Sequence, residues 1–312
     1  MSERSRNLPR RSCHAVPGTS ERFIAKAPTL GADMYFLDLE DSVPPADKEA
    51  SRTRVASAVR EQDWGEAVLA VRVNAWDTRW TYGDVIEVVS AAGERLDELV
   101  LPKVQSPAEV AALDLLLTQV ETNAGLPLGH IGIEAQIESA RGLVNVEAIC
   151  AASPRLESIV LGPLDLAASM GMPSQAGGML IPEYPGDYFH YVFVKILMAG
   201  RASGLQVIDG PYVKVRDPEG LVETARRTQV LGYDGKWSVH PDQIPVINEI
   251  FSPTQEQFDR AKAILDAYEA ATEGEQRKGA LMLGEEMIDE ASAKMARSLV
   301  SRGERSGSLR RA

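Results

Sequence analysis

"DELVLPKVQSPAEVAALDLLLTQVETN", residues 97–123, holds a complete strand-and-helix unit. Its first half is a short apolar run, Leu99-Val100-Leu101, that stops at Pro102 and Lys103. Ser106 then stands where a helix N-cap belongs and Pro107 where the first helical residue belongs, a position that tolerates a missing N–H. The residues that follow, to Asn123, carry a helical period. A strand followed directly by a helix is the βα unit of parallel sheets.

The same alternation fills most of the chain. Strand-like runs occur at "SCHAV" (12–16), "DMYFLDL" (33–39), "AVLAVRVN" (67–74), "DELVLPKV" (97–104), "HIGIEAQIE" (130–138), "LESIVLG" (156–162), "LQVID" (205–209) and "GKWSVH" (235–240). "DPEGLVETARRTQVLG" (217–232) repeats the helix design, with Gly232 as its C-cap. Eight β/α units in series predict an α/β chain folded as a closed (β/α)8 TIM barrel, not an open doubly wound sheet. Neither GxGxxG nor a P-loop is present to support a nucleotide-binding alternative.

The barrel is expected over residues 1–251. In "SPTQEQFDRAKAILDAYEAA" (252–271), Phe258, Ala261, Ile264, Leu265 and Tyr268 share one helical face. A polar break at 272–279 leads to "ALMLGEEMIDEASAKMARSLV" (280–300), so residues 252–300 are expected to form a helical extension. Residues 301–312 are expected to be a disordered tail.

The 312 residues are 44% hydrophobic and 25% charged, a globular balance. A net charge of −12 argues against general nucleic-acid affinity but leaves room for an anionic substrate in a local basic pocket. No apolar run reaches the length of a membrane span, and the basic N-terminus lacks the apolar core of a secretory signal, so a cytoplasmic location is expected. Cys13 and Cys150 read as reduced thiols. The four histidines have no HxxH or HExxH spacing, which disfavours a zinc hydrolase.

Barrel enzymes gather their catalytic groups at the C-terminal ends of the strands. In this sequence those ends carry Glu40 and Asp41, Arg72 and Asn74, Lys103, Glu138, Asp165, Asp209 and His240. Glu138 and Asp165 end neighbouring strands and can share one divalent ion, with carboxylate ligands suiting Mg²⁺; they can equally be strand-end acids paired with Arg141 or Lys103. Arg72 lies in an apolar strand and needs an anionic partner, either one of the acids or a substrate carboxylate. Lys103 is a candidate Schiff-base lysine, but its acidic neighbourhood favours a charged, structural role.

"FLDLEDSVPPADKEASR", "AVRVN", "LPKVQSPAEV", "IESARGLVNVEAI", "LGPLDLAASMGM", "VIDGPY" and "GKWSVHPDQIPVINEIFSP" together resemble the HpcH/HpaI aldolase and citrate-lyase β-subunit superfamily. "WDTRWTYGDV", "YPGDYFHY" and "GKWSVHP" are most similar to its malyl-CoA and β-methylmalyl-CoA lyase branch, in register from about Arg11 to about Met295. The resemblance implies a barrel with a C-terminal lid, assembled as trimers or hexamers. It also implies Mg²⁺ or Mn²⁺ as cofactor and cleavage of a CoA thioester of a β-hydroxy acid to glyoxylate and a shorter acyl-CoA.

Carried over by position, the metal acids are Glu138 and Asp165, the substrate arginine is Arg72, and the catalytic aspartate, reaching a neighbouring subunit's mouth, is Asp289. Arg22 and Lys26 are the candidates for the CoA phosphates. The chain departs from the family pattern at Ser20, where relatives carry an arginine, at Ala15, where an aromatic lines the CoA site, and at Pro163-Leu164. Glu40 and Asp41 then become acids beside the metal that orient Arg72 and Lys103, and Asp38 a structural acid paired inside the barrel. A malyl-CoA thioesterase, a citramalyl-CoA or citryl-CoA lyase, and a catalytically silent CoA-binding subunit are the alternatives on the same barrel.

Overall fold

A computed structural model describes residues 8–172, 185–273 and 278–306. Every strand-like run of the sequence forms a strand: β1 Ser12–Pro17, β2 Met34–Asp38, β3 Val68–Arg72, β4 Glu98–Leu101, β5 Gly132–Ile137, β6 Leu156–Leu161, β7 Gln206–Asp209 and β8 Gly235–Ser238. Each pairs in parallel with the next, and β8 returns to β1, which closes the barrel. Alternate residues of each strand point inward. The interior plug is therefore built from residues such as Cys13, Met34, Phe36, Val160, Ile208 and Trp237, all essentially inaccessible. Phe36 and Trp237 fill its centre with ring centroids 4.3 Å apart, and small residues such as Ala70 make room for them. Cys13 and Cys150 are both buried and free.

The helix after β4 runs Pro107–Ala124, with Pro107 in its first turn. Ser106 has the extended backbone of an N-cap, but its hydroxyl caps nothing. The Glu109 carboxylate instead accepts the Gln105 N–H at 2.7 Å, reaching back across the first turn. In the helix Pro218–Leu231 the cap works as the sequence reads: Asp217 accepts the Gly220 N–H at 3.0 Å, and Gly232 ends the helix at φ 112°.

The chain divides into two compact units, Met1–Asn248 and Glu249–Ala312. The second contains a helix Gln255–Glu273, strands β9 Ala280–Leu283 and β10 Glu286–Asp289, and a helix Glu290–Ser306. This corrects the helical expectation for residues 280–289, which form an antiparallel hairpin. Leu281, Leu283 and Ile288 alternate onto a small core with Tyr268 and Ala293, a two-residue period that a helix cannot present to one face. Gly284, at φ 63°, supplies the left-handed turn between the strands. The last helix continues past residue 300 to Ser306, with Arg305 bonded to the Ser301 hydroxyl, and residues 307–312 lie outside the described residues.

At the N-terminal end of the barrel, the fully buried Arg10 donates to Glu98 and Glu157, each at 2.9 Å. Glu134, bonded by Ser158 Oγ at 2.6 Å, lies close enough to raise the Glu98 carboxyl further. One guanidinium thus faces three acids. Burial, partly offset by Arg10, holds Glu98 and Glu134 above the ordinary carboxylate range. The folded chain keeps a proton here that the unfolded chain releases above roughly pH 4.3, so stability falls as pH rises from there through the raised native value. Urea unfolding across pH 5 to 9 is expected to show this decline, to which each such proton, including that of any other raised carboxyl, contributes at most about 1.4 kcal/mol per pH unit. Glu98→Gln, which stays neutral, is expected to reduce the slope, leaving the part due to the other raised carboxyls.

Candidate active site

The C-terminal mouth is organised by a buried ion pair. Asp38 and Arg72, the last residues of β2 and β3, are neighbours in the strand register. Arg72 Nε and Nη2 donate to the two Asp38 oxygens at 2.7 and 2.8 Å, a bidentate fork. Burial opposes the charged Asp38, but the Arg72 charge and hydrogen bonds overcome it and hold the carboxyl down at about 2. Arg72 also lies over the rings of Trp237 and Phe36, 5.5 and 5.8 Å from their centroids. Its remaining nitrogen, Nη1, faces the mouth, 3.3 Å from Glu40 and 3.9 Å from Asp41.

Lys103 ties two parts of the mouth together. It follows Pro102 at the end of β4 and is the one non-glycine residue with positive φ, 53°, among the described residues. That twist aims its backbone N–H at Glu138 Oε1, 2.7 Å away, and its ammonium at Glu40 and Asp41. Although burial works against the charge, the bond to Glu40 and the nearby acids hold the ammonium above its ordinary pKa. A lysine so held favours a charged, structural role over the Schiff-base reading.

Glu138 ends β5 and is 2% exposed. Gln136, two residues earlier on the same inward face, donates to Glu138 Oε2 at 2.8 Å. A Cβ placed on Gly162, at the end of β6, would lie 2.4 Å from Glu138 Cβ and 2.6 Å from Oε2. Only glycine leaves this carboxylate its place. Asp165 stands in the first turn of the next helix, Pro163–Ser169. Burial, then the charge of Asp165, pushes the Glu138 carboxyl up to about 8.

These donors fit a divalent cation. Five carboxylates, Asp38, Glu40, Asp41, Glu138 and Asp165, stand at a mouth whose paired cations are Arg72 and Lys103. The charge of Asp165 raises the cost of ionising Glu138 unless a cation lies between them. No group of three or more His, Cys, Asp or Glu side chains among the described residues is arranged to hold a metal. Two carboxylates would leave an ion's other positions to water and substrate oxygens.

Three of the remaining strand-end residues stand elsewhere. Asp209 follows the inward-facing Ile208 and so points outward, bonding Lys236 at 2.6 Å and Thr228 at 3.0 Å between sheet and helix. Asn74 bonds Asp84 and the Leu39 carbonyl. His240 is partly exposed beside Asp242. Gln136 and Gly162 were not legible as site residues, because an amide in an apolar strand and a glycine before proline carry no chemical signature of their own.

Arg22 and Lys26 lie on the short helix Glu21–Lys26 after β1. Ser20, where the resemblance implied an arginine, is this helix's N-cap and accepts the Phe23 N–H at 3.3 Å. Both basic residues line a cavity of about 330 Å³ with Pro17, His240 and Asp242, beside a buried His14. Burial lowers His14 to about 4, outweighing a backbone bond at Ser238, and its Nδ1 lies 2.7 Å from the Ser238 hydroxyl. Asp289 belongs to the second unit. It precedes the last helix and caps it, accepting the Ser292 N–H at 3.0 Å, and the Ser292 bonds hold its carboxyl below the ordinary range.

A closed parallel barrel with carboxylates gathered at its C-terminal mouth is the arrangement of a barrel enzyme. Residues 11–241 match the HpcH/HpaI aldolase/citrate lyase family model, and the chain belongs to that family. It is 39% identical over 298 residues to an L-malyl-CoA/beta-methylmalyl-CoA lyase of Cereibacter sphaeroides, covering 92% of each chain. It is 34% identical to a malyl-CoA/beta-methylmalyl-CoA/citramalyl-CoA lyase of Chloroflexus aurantiacus, covering 94% of this chain and 87% of that one. Among solved structures it matches the protein CitE of Mycobacterium tuberculosis in complex with magnesium, acetoacetate and coenzyme A. That match has a TM-score of 0.75 and 27% identity, over 96% of this chain and 99% of that one.

Gly162→Ala forces the Glu138 carboxylate out of its cradle. Calorimetric titration of the substrate-free protein with MgCl₂ is expected to show affinity reduced by about ten- to a hundredfold, the range for residues that orient a metal ligand.

Proposed function

We propose that this protein is a carbon–carbon lyase that cleaves malyl-CoA or β-methylmalyl-CoA reversibly to glyoxylate and acetyl-CoA or propionyl-CoA. The observation that carries the reading is the buried Glu138 carboxylate beside Asp165, seated in a space that only Gly162 allows. The similarity to lyases of these CoA esters, running over nine-tenths of the chain, supports the substrate class.

Glu138 and Asp165 would hold Mg²⁺ or Mn²⁺. An ion held there would supply Lewis-acid chemistry to the oxygens of the reacting group. When the C–C bond breaks, its electron pair passes to the thioester fragment as an enolate. Arg72, locked by Asp38 and turned with Nη1 to the mouth, provides a fixed positive charge for that oxyanion and needs no reorganisation to do so. Glu40 and Asp41 keep Lys103 cationic and hold the floor of the site in place. Arg22 and Lys26 offer two cations at the rim of their cavity to the CoA phosphates. In the condensation direction the Asp289 carboxylate, held below the ordinary range, takes a proton from the acetyl methyl and the new alkoxide takes one from solvent. In cleavage the hydroxyl proton leaves to solvent and Asp289, protonated from solvent, delivers a proton to the enolate carbon.

The resemblance also supports assembly into trimers or hexamers, a C-terminal lid over the mouth that excludes water from the enolate, and a cytoplasmic location. No helix among the described residues is long and apolar enough to cross a membrane.

Purified protein incubated with Mg²⁺, malyl-CoA and a glyoxylate trap is expected to release glyoxylate, and both Glu138→Ala and Asp165→Ala to abolish it. Malate with free thiol would identify a thioesterase instead, pyruvate from citramalyl-CoA a citramalyl-CoA lyase, and undiminished turnover in both variants would remove the metal assignment. For Asp289, exchange of the acetyl-CoA methyl protons with D₂O, followed by NMR, is expected to be lost in Asp289→Asn. Normal exchange would exclude it from proton transfer.

A further inference from the structure

Glu40 and Asp41 sit on a turn that leaves β2, and carboxylates on a turn drift unless its backbone is held. The grip comes from behind the mouth. Lys48, the first residue of the helix Lys48–Glu61, is 6% exposed. Its ammonium donates to the carbonyl oxygens of Leu39 and Glu40, at 2.9 and 2.6 Å. A lysine aimed at two consecutive carbonyls, and not at the carboxylates so near it, fixes backbone direction. The ammonium also lies 5.5 Å from the centroid of the Trp80 ring.

A second donor converges on the same turn. Asn74 Nδ2 donates to the Leu39 carbonyl at 3.0 Å and to Asp84 at 2.7 Å. Asp84 in turn accepts Arg52 Nε at 2.7 Å, and Arg52 Nη2 donates to the Trp80 carbonyl at 3.0 Å. The chain of contacts joins the helices Lys48–Glu61 and Thr81–Ala92 to the one turn that carries Glu40.

From this geometry we infer that Lys48 is a positioning residue: through the Leu39 and Glu40 carbonyls it sets where the Glu40 carboxylate meets Lys103 and Arg72. Nothing in its contacts reaches the reacting atoms, so its effect passes entirely through the turn. Without it, Glu40 loses its fixed approach, the Lys103 ammonium loses its partner, and the cation pattern of the mouth shifts while the barrel stays closed. The inference rests on the lyase reading for its catalytic consequence but not for its structural one.

The test uses Lys48→Met, which keeps an unbranched side chain one atom shorter and removes the donor. In folded protein, kcat for malyl-CoA cleavage is expected to fall by about ten- to a hundredfold, the scale of a misplaced active-site group, with KM changed by less than about twofold. Lys48→Met combined with Glu40→Gln is expected to be no slower than Glu40→Gln alone, because both act on one carboxylate. Independently of any activity, acylation of Lys103 by limiting acetic anhydride, measured by mass spectrometry against Lys262 as internal reference, is expected to become faster in Lys48→Met. Wild-type kcat with unchanged Lys103 acylation, or full additivity in the double variant, overturns the inference. If the wild-type protein releases no glyoxylate, the lyase reading fails and Lys103 acylation alone decides for or against Lys48. If Lys48→Met does not fold, Asn74→Ala, which removes the other donor to the Leu39 carbonyl, is read by the same criteria.

Discussion

The fork between Arg72 and Asp38 is the contact on which the mouth of this barrel depends. Two unit charges with almost no access to water are tolerable only when each satisfies the other, and removing one partner of such a pair typically costs about 3–5 kcal/mol. The barrel makes the pairing possible, since the parallel register of β2 and β3 sets the two residues side by side on the inward face. Once Asp38 is committed to Arg72, Glu40 and Asp41 are left to Lys103, and Glu138 to the Lys103 backbone N–H and Gln136. The mouth is one connected electrostatic arrangement.

The two ends of the same barrel use buried charge differently. At the N-terminal end, Arg10 meets Glu98 and Glu157 with no solvent-facing group among them, a cluster in which burial holds Glu98 above the ordinary carboxylate range. At the C-terminal end the excess of carboxylates opens to solvent at Asp41 and Asp165, where a cation and substrate can reach it. Between the ends lies the apolar plug around Phe36 and Trp237. It separates the clusters and gives Arg72 an aromatic floor.

Much of the architecture was legible because it rests on periodicity. Eight apolar runs separated by helical segments leave few ways to bury both faces of a parallel sheet, and each run became a strand. Asp38 was readable as a paired internal acid from its alternation with Leu37 and Leu39. The hairpin at Ala280–Asp289 was not, because "ALMLGEEMID" is short enough to satisfy either a helical or an alternating pattern, and the packing of Leu281, Leu283 and Ile288 onto Tyr268 settles it. Asp209 was misplaced for a related reason. A strand-end acid can point in or out, and the inward Ile208 leaves it only the outer face.

The amino-acid sequence by itself determined the βα repeat, the family and the set of charged residues at the strand ends, since these follow from local pattern and residue type. Tertiary structure alone decided which charges meet. The left-handed backbone of Lys103, the cradle at Gly162 and the grip of Lys48 on the Leu39 and Glu40 carbonyls all join residues from different parts of the chain. Their physical cause is barrel closure, which fixes strand register and inward alternation together and so sets distances that no spacing along the chain encodes.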